Sequence, residues 1–164
     1  MRTVTCCLPA IGLALFAAHV AVPRVAVGQS ALDPYETVEG LAEAVEGDIV
    51  SVNGVPVRLY GIDAPDTGQS CETLRGRRYD CGAVARAMLD RLVGGNPVRC
   101  TIYSASADGS QIGACFVGRH DLGAAMVLAG WAFSQRSLSN RYERHEARAQ
   151  SVDAGLWAGR ARRP

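Results

Sequence analysis

Three aspartates and one guanidinium lie close together in the stretch Glu46 to Asp66, EGDIVSVNGVPVRLYGIDAPD. Asp48, Asp63 and Asp66 fall at the ends of two apolar runs, and Arg58 lies within the second run. If the runs pair through the Asn53-Gly54 turn signal, Asp48 and Asp63 approach each other. Two adjacent carboxylates repel and require a proton or a cation between them. An all-oxygen donor set suits Ca²⁺ or Mg²⁺. Arg58 is of the type that grips a phosphate oxygen through two parallel hydrogen bonds. A metal, an arginine and a spare carboxylate are together the parts of phosphodiester hydrolysis. By composition alone, the same residues also describe solvated acids at strand ends.

These side chains need a scaffold, and the rest of the chain outlines one. Thr37 to Glu46, with Val38, Leu41 and Val45, reads as a first strand, Ile49 to Val52 as a second and Val57 to Ile62 as a third. Asp63-Ala64-Pro65 stops the third strand, since proline cannot continue a central ladder. A polar loop then runs to about Arg78. A helix follows, with Val84, Met88 and Leu92 at spacing four and Ala85 and Leu89 beside them, and Gly94-Gly95 ends it. Pro97 to Tyr103 and Ile112 to Val117 supply strands four and five. Asp121 is suited to cap a second helix, Leu122 to Ala129, and Asn140 a third that runs to about Val152. The charges on that third helix, Arg141, Glu143, Arg144, Glu146 and Arg148, predict a solvated face. The fold expected is α+β: a five-stranded OB-type barrel with about three helices.

The run VRLYGIDAPD, then Gln69, Cys71, Tyr79, Cys81-Gly82, Ala85, Asp121-Leu122, Met126-Val127, Gly130-Trp131-Ala132 and Gly155-Leu156-Trp157, resembles the thermonucleases (staphylococcal-nuclease-like proteins) from about residue 37 to 160. The resemblance implies an OB-fold, Ca²⁺-dependent hydrolysis of DNA and RNA, and roles for particular residues. Asp48, Asp63 and the Ala64 carbonyl match the metal ligands, and Arg58 matches the first of two phosphate-binding arginines. Asp66 stands where the family has a glutamate that acts as general base or orients water. Three departures follow. The family's Asp-Gly-Asp-Thr is here Glu46-Gly47-Asp48-Ile49, and the glutamate is the shorter Asp66. Ser110 replaces the second arginine, and no arginine occurs from Thr101 to Gly118. The departures predict either a weakened nuclease or a catalytically silent OB-fold module that binds nucleic acid or a protein partner. Arg119 and Arg136 are the arginines outside the hairpin that could stand in for the missing one. Arg77 and Arg78, with Arg75, form a basic loop, a nucleic-acid contact or a solvated segment.

Composition bounds the surroundings. Residues 1–28 read as a signal peptide, with Arg2 ahead of an apolar run and small residues before Gln29, although the run is long enough to anchor the chain instead. Residues 29–36 are a polar lead-in, 37–160 the domain and 161–164 a basic tail. Without Arg2 and Arg24, the 17 basic residues fall to 15 against 16 acidic ones, so no global field draws in nucleic acid. The protein is expected to be exported, periplasmic or secreted, monomeric, and free of the membrane once the leader is cut. Cys71, Cys81, Cys100 and Cys115 then remain, an even number that predicts two disulfides. Of the three possible pairings, Asp108-Gly109 midway between Cys100 and Cys115 favours Cys100 with Cys115 and Cys71 with Cys81. No Cys-x-x-Cys pair points to zinc. His120 and His145 have no sequence partner that suggests catalysis.

Overall fold

The computed structural model describes residues 35–107 and 109–160. The expected leader, most of the lead-in and the basic tail lie outside the described residues.

Strand β1 (Thr37–Ala44) pairs antiparallel with β2 (Ile49–Val52), which pairs with β3 (Val55–Leu59) across the Asn53-Gly54 turn. Both turn residues have positive φ, 50° and 82°. That is the hairpin geometry whose twist matches the flanking strands. In β1 the inward phase is carried by Val38, Ala42 and Ala44. Leu41 and Val45, two of the apolar residues that marked this run as a strand, are exposed.

The third strand is shorter than expected. It breaks at Gly61, φ 79°, and Ile62–Asp63 leaves the barrel as a separate short strand, β4. The loop beyond it is not structureless. It holds a hairpin, β5 (Ser70–Glu72) with β6 (Arg78–Asp80), closed by the Cys71–Cys81 disulfide. Helix α1 (Cys81–Val93) starts at Asp80, whose side chain accepts from Ala83 N at 2.8 Å, and ends on Gly94 in the left-handed conformation. Its buried stripe is Cys81, Ala85, Leu89 and Val93, one position round from the Val84, Met88 and Leu92 face that spacing suggested.

Strands β7 (Pro97–Ala105) and β8 (Gln111–Val117) complete the barrel once β4, β5 and β6 are counted in chain order. They place Cys100 opposite Cys115, with the Cα atoms 4.0 Å apart in a disulfide, so both expected pairings are present. β8 then pairs in parallel with β3, Arg58 against Ile112, which closes a five-stranded mixed barrel. The short β9 (His120–Asp121) leads into α2 (Leu122–Leu128), capped by Asp121. β10 (Phe133–Ser134) pairs with β4, setting Asp63 opposite Phe133. Helix α3 (Glu143–Ser151) begins three residues after Asn140, which supplies only a backbone carbonyl to Glu143 N; no side chain caps the helix.

The barrel core is mostly β-branched and aliphatic, with Val50, Val52, Val57, Leu59 and Val98 meeting Leu89, Leu122 and Met126. A second cluster packs Phe133 and Leu156 on the Cys71–Cys81 disulfide, with Trp131 and Trp157 against it. Burying such side chains contributes roughly 1.5–3 kcal/mol each.

Candidate active site

Asp48 ends the turn between β1 and β2, and its carbonyl accepts from Leu59 N at 2.8 Å. That backbone bond holds it beside β3. Arg58, paired with Ile49 across the ladder, donates from Nη1 to Asp48 Oδ2 at 2.7 Å. The carboxylate is 4% exposed and the guanidinium 38%. Asp63, half-buried on β4, and exposed Asp66 lie within electrostatic reach of Asp48. Burial pushes the Asp48 carboxyl up to about 6; Arg58 opposes the shift, while Asp63 and Asp66 add to it. The three aspartates and Arg58 therefore share one corner of the barrel.

Asp66 is held through its loop. Its N–H donates to Gln69 Oε1 at 3.2 Å, and Gln69 N–H returns to the Asp66 carbonyl at 2.9 Å. Helix α1 presses from behind: a Cβ on Gly82 would lie 1.8 Å from the Asp66 carbonyl oxygen, so only glycine fits there. Glu46 Oε2 accepts from Thr67 N at 2.8 Å and from Thr67 Oγ1. Sequence reasoning read Glu46 only as a departure from the family motif. Its carboxylate thus ties the turn after β1 to the Asp66 loop.

Ser110 is buried at the foot of the β7–β8 connection, where its carbonyl accepts from Ser106 N at 2.8 Å. Arg136 donates to Glu146 Oε2 at 3.2 Å, and Arg119 lines a groove with Glu39, Asn96 and His120. Arg78 turns back onto Ser70 Oγ at 3.2 Å.

Glu146 is the residue whose place the charge pattern concealed. Read as part of a solvated face, it is fully buried. It accepts from Ser134 N at 3.0 Å and Ser134 Oγ at 3.3 Å as well as from Arg136. It thereby ties α3 to β10, the partner strand of the segment that carries Asp63.

The ligands that the family resemblance implies, Asp48, Asp63 and the Ala64 carbonyl, would be a hard-oxygen set. No group of three or more His, Cys, Asp or Glu side chains forms a ready-made metal cage among the described residues. A cation at this corner would therefore keep much of its water.

The raised Asp48 pKa sets an expected pH dependence. The folded state binds this proton more tightly than the unfolded chain, whose value is 3.8. Below pH 3.8 both states are protonated and no penalty applies. As pH rises from there through about 6, stability should fall, by about 3 kcal/mol in total. Urea unfolding in chelator across that window measures the fall, and Asp48→Asn should flatten it.

Two disulfides fit an oxidising compartment, and no helix among the described residues is long and apolar enough to cross a membrane. A relative from Rhizobium meliloti (strain 1021), described as succinoglycan biosynthesis protein ExoI, is 30% identical over 126 residues. The match covers 74% of this chain, which spans 65% of that relative's length. The family described as staphylococcal nuclease homologue matches residues 56–159, from β3 to the turn after Trp157. With the closed barrel and its acidic corner, that match makes the chain a member of the staphylococcal nuclease homologue family.

Proposed function

We propose that the protein is an exported, periplasmic or secreted, phosphodiesterase of nucleic acid that works with Ca²⁺ and far below the rate of a two-arginine family member. The observation that carries this reading is the buried Asp48 carboxylate paired with Arg58, with Asp63 and Asp66 in reach. Asp48, Asp63 and the Ala64 carbonyl would hold Ca²⁺, which when bound neutralises charge on the phosphate.

The chain's own groups divide the remaining work. A guanidinium has five N–H donors, so the one that Arg58 gives to Asp48 leaves others for a phosphate oxygen. Asp66, exposed on its tethered loop, accepts a proton from the attacking water; the departing oxygen takes one from solvent. The step lacks a second cation on the developing phosphoryl charge. An arginine in that role is worth roughly 10³ to 10⁵ in rate. Ser110 brings a short neutral hydroxyl instead.

The same substitution favours a second reading, a silent OB-fold module that binds nucleic acid, a protein or a polysaccharide. The name of the Rhizobium relative makes a polysaccharide worth assaying. Incubation with single-stranded DNA in Ca²⁺ and in chelator separates the readings. We expect Ca²⁺-dependent cleavage at least about a hundredfold slower than a two-arginine member, and lost in Asp66→Asn. Binding with no cleavage at any protein concentration supports the module.

A further inference from the structure

The β5–β6 hairpin takes no part in the acidic corner, yet it is fastened at two places. The Cys71–Cys81 disulfide closes its base. On its other side the chain's last described residues run alongside: Thr73 bridges Gly159, and Arg160 N donates to the Glu72 carbonyl at 2.8 Å. Gly159 permits that approach, since a Cβ there would lie 2.6 Å from the Glu72 carbonyl oxygen. Within the tip, Thr73 N donates to Arg77 O and Gly76 N to Thr73 O.

Thr73, Leu74, Arg75, Arg77 and Ala158 line an open cavity of about 480 Å³ at this tip. Of the hairpin's two acids, Glu72 is engaged by Arg160 at 3.3 Å and Asp80 caps α1, while Arg78 is turned onto Ser70. Among the described residues, no ion pair or side-chain hydrogen bond engages the guanidinium of Arg75 or Arg77. Between them Leu74 is 68% exposed. A held tip with two guanidiniums that no side chain engages, a third held by a neutral hydroxyl, and one bare apolar side chain is prepared to meet a polyanion that also carries apolar surface.

We infer that this tip is a docking site for the backbone of single-stranded nucleic acid, a second contact beyond the acidic corner. Two arginines on one tip suit consecutive phosphates. Leu74 suits a base that is not stacked inside a duplex. Three residues of β5 carry the tip roughly 10 Å from the Asp66 loop, so one strand can reach both. The inference rests on the nucleic-acid reading above. It replaces the expected pair Arg77 and Arg78 with Arg75 and Arg77.

The test is binding of a labelled oligothymidylate to the purified protein in chelator, followed by anisotropy over a range of NaCl concentrations. Each phosphate contact contributes about 0.7 to the slope of log K against log salt for a single strand. Arg75→Ser/Arg77→Ser should reduce the slope by about 1.4 and weaken binding at least about tenfold at low salt. Leu74→Ser should weaken binding with the slope unchanged, and Arg78→Ser should leave the slope unchanged. All four positions are exposed, and an unchanged melting curve confirms folding. Binding by the parent with the same slope in the double variant overturns this site alone. No binding of the oligonucleotide by the parent overturns both this site and the nucleic-acid reading.

Discussion

Arg58→Ala is expected to abolish measurable hydrolysis, a loss of at least about 10³-fold. With Ser110 in place of the second arginine, Arg58 is the guanidinium left to stabilise the phosphoryl charge at the acidic corner. The substitution should also destabilise the protein, because it leaves the Asp48 carboxylate buried without its 2.7 Å partner. Breaking a buried pair costs about 3–5 kcal/mol. Arg58 is 38% exposed, so the lower end of that range applies near neutral pH. At acid pH the cost should shrink, since Asp48 escapes by taking a proton. The two effects can be separated. Arg58→Ala/Asp48→Asn should regain stability without regaining cleavage. Arg58→Lys keeps a charge near Asp48 but loses the planar fork, so it should remain folded and hydrolyse poorly. An Arg58→Ala protein that cleaves at the parental rate contradicts the role given to this side chain.

Glu146→Ala should destabilise the fold by about 1–3 kcal/mol, read as a fall in melting temperature of several degrees; Arg136, 60% exposed, returns to water, so the cost lies with the buried donors. The side chain is fully buried and accepts from Ser134 N, Ser134 Oγ and Arg136. Alanine leaves Ser134 N–H in a dry interior without that acceptor, and a buried orphan donor costs more than the bond itself contributed. Glu146→Gln keeps one carbonyl oxygen for that N–H and should lose less. The damage should spread to Asp63, because Ser134 belongs to the strand that pairs with the Asp63 segment. A Glu146→Ala protein with parental stability contradicts the account of α3 as a brace for β10.

What could be read from the sequence was governed by local rules. Asn53-Gly54 takes positive φ at both positions and needs a tight turn wherever it falls. Asp80 and Asp121 cap helices through their own side chains, although only the second was anticipated. The disulfide partners followed from hairpin symmetry, and the barrel from the order of its strands. The rest was decided by tertiary packing. Glu146 sits in a charged run that looks like any solvated helix face; only the approach of β10 turns it into a buried acceptor. The stripe of α1 is set by how the helix lies on the barrel, which spacing in an alanine-rich segment does not determine. Gly61 breaks β3 because Ile62 and Asp63 have a better partner in β10, seventy residues along.

The acidic corner was legible as a set of residues, and its consequences for Asp48 were not. Three aspartates in twenty residues gave no sign that one would be buried against Arg58 while another stayed on a tethered surface loop. Glu46 was equally opaque: its place in the motif gave it no role of its own, whereas its carboxylate holds the Asp66 loop through Thr67.

Whether this corner takes a cation is measured directly by thermal unfolding with Ca²⁺ against chelator. A ligand present at about a hundred times its dissociation constant stabilises the folded state by about 2.7 kcal/mol. The melting temperature should rise with Ca²⁺ concentration, and the rise should vanish in Asp48→Asn and in Asp63→Asn but persist in Arg75→Ser. A protein indifferent to Ca²⁺, or one whose response survives Asp48→Asn, would contradict a cation site at this corner.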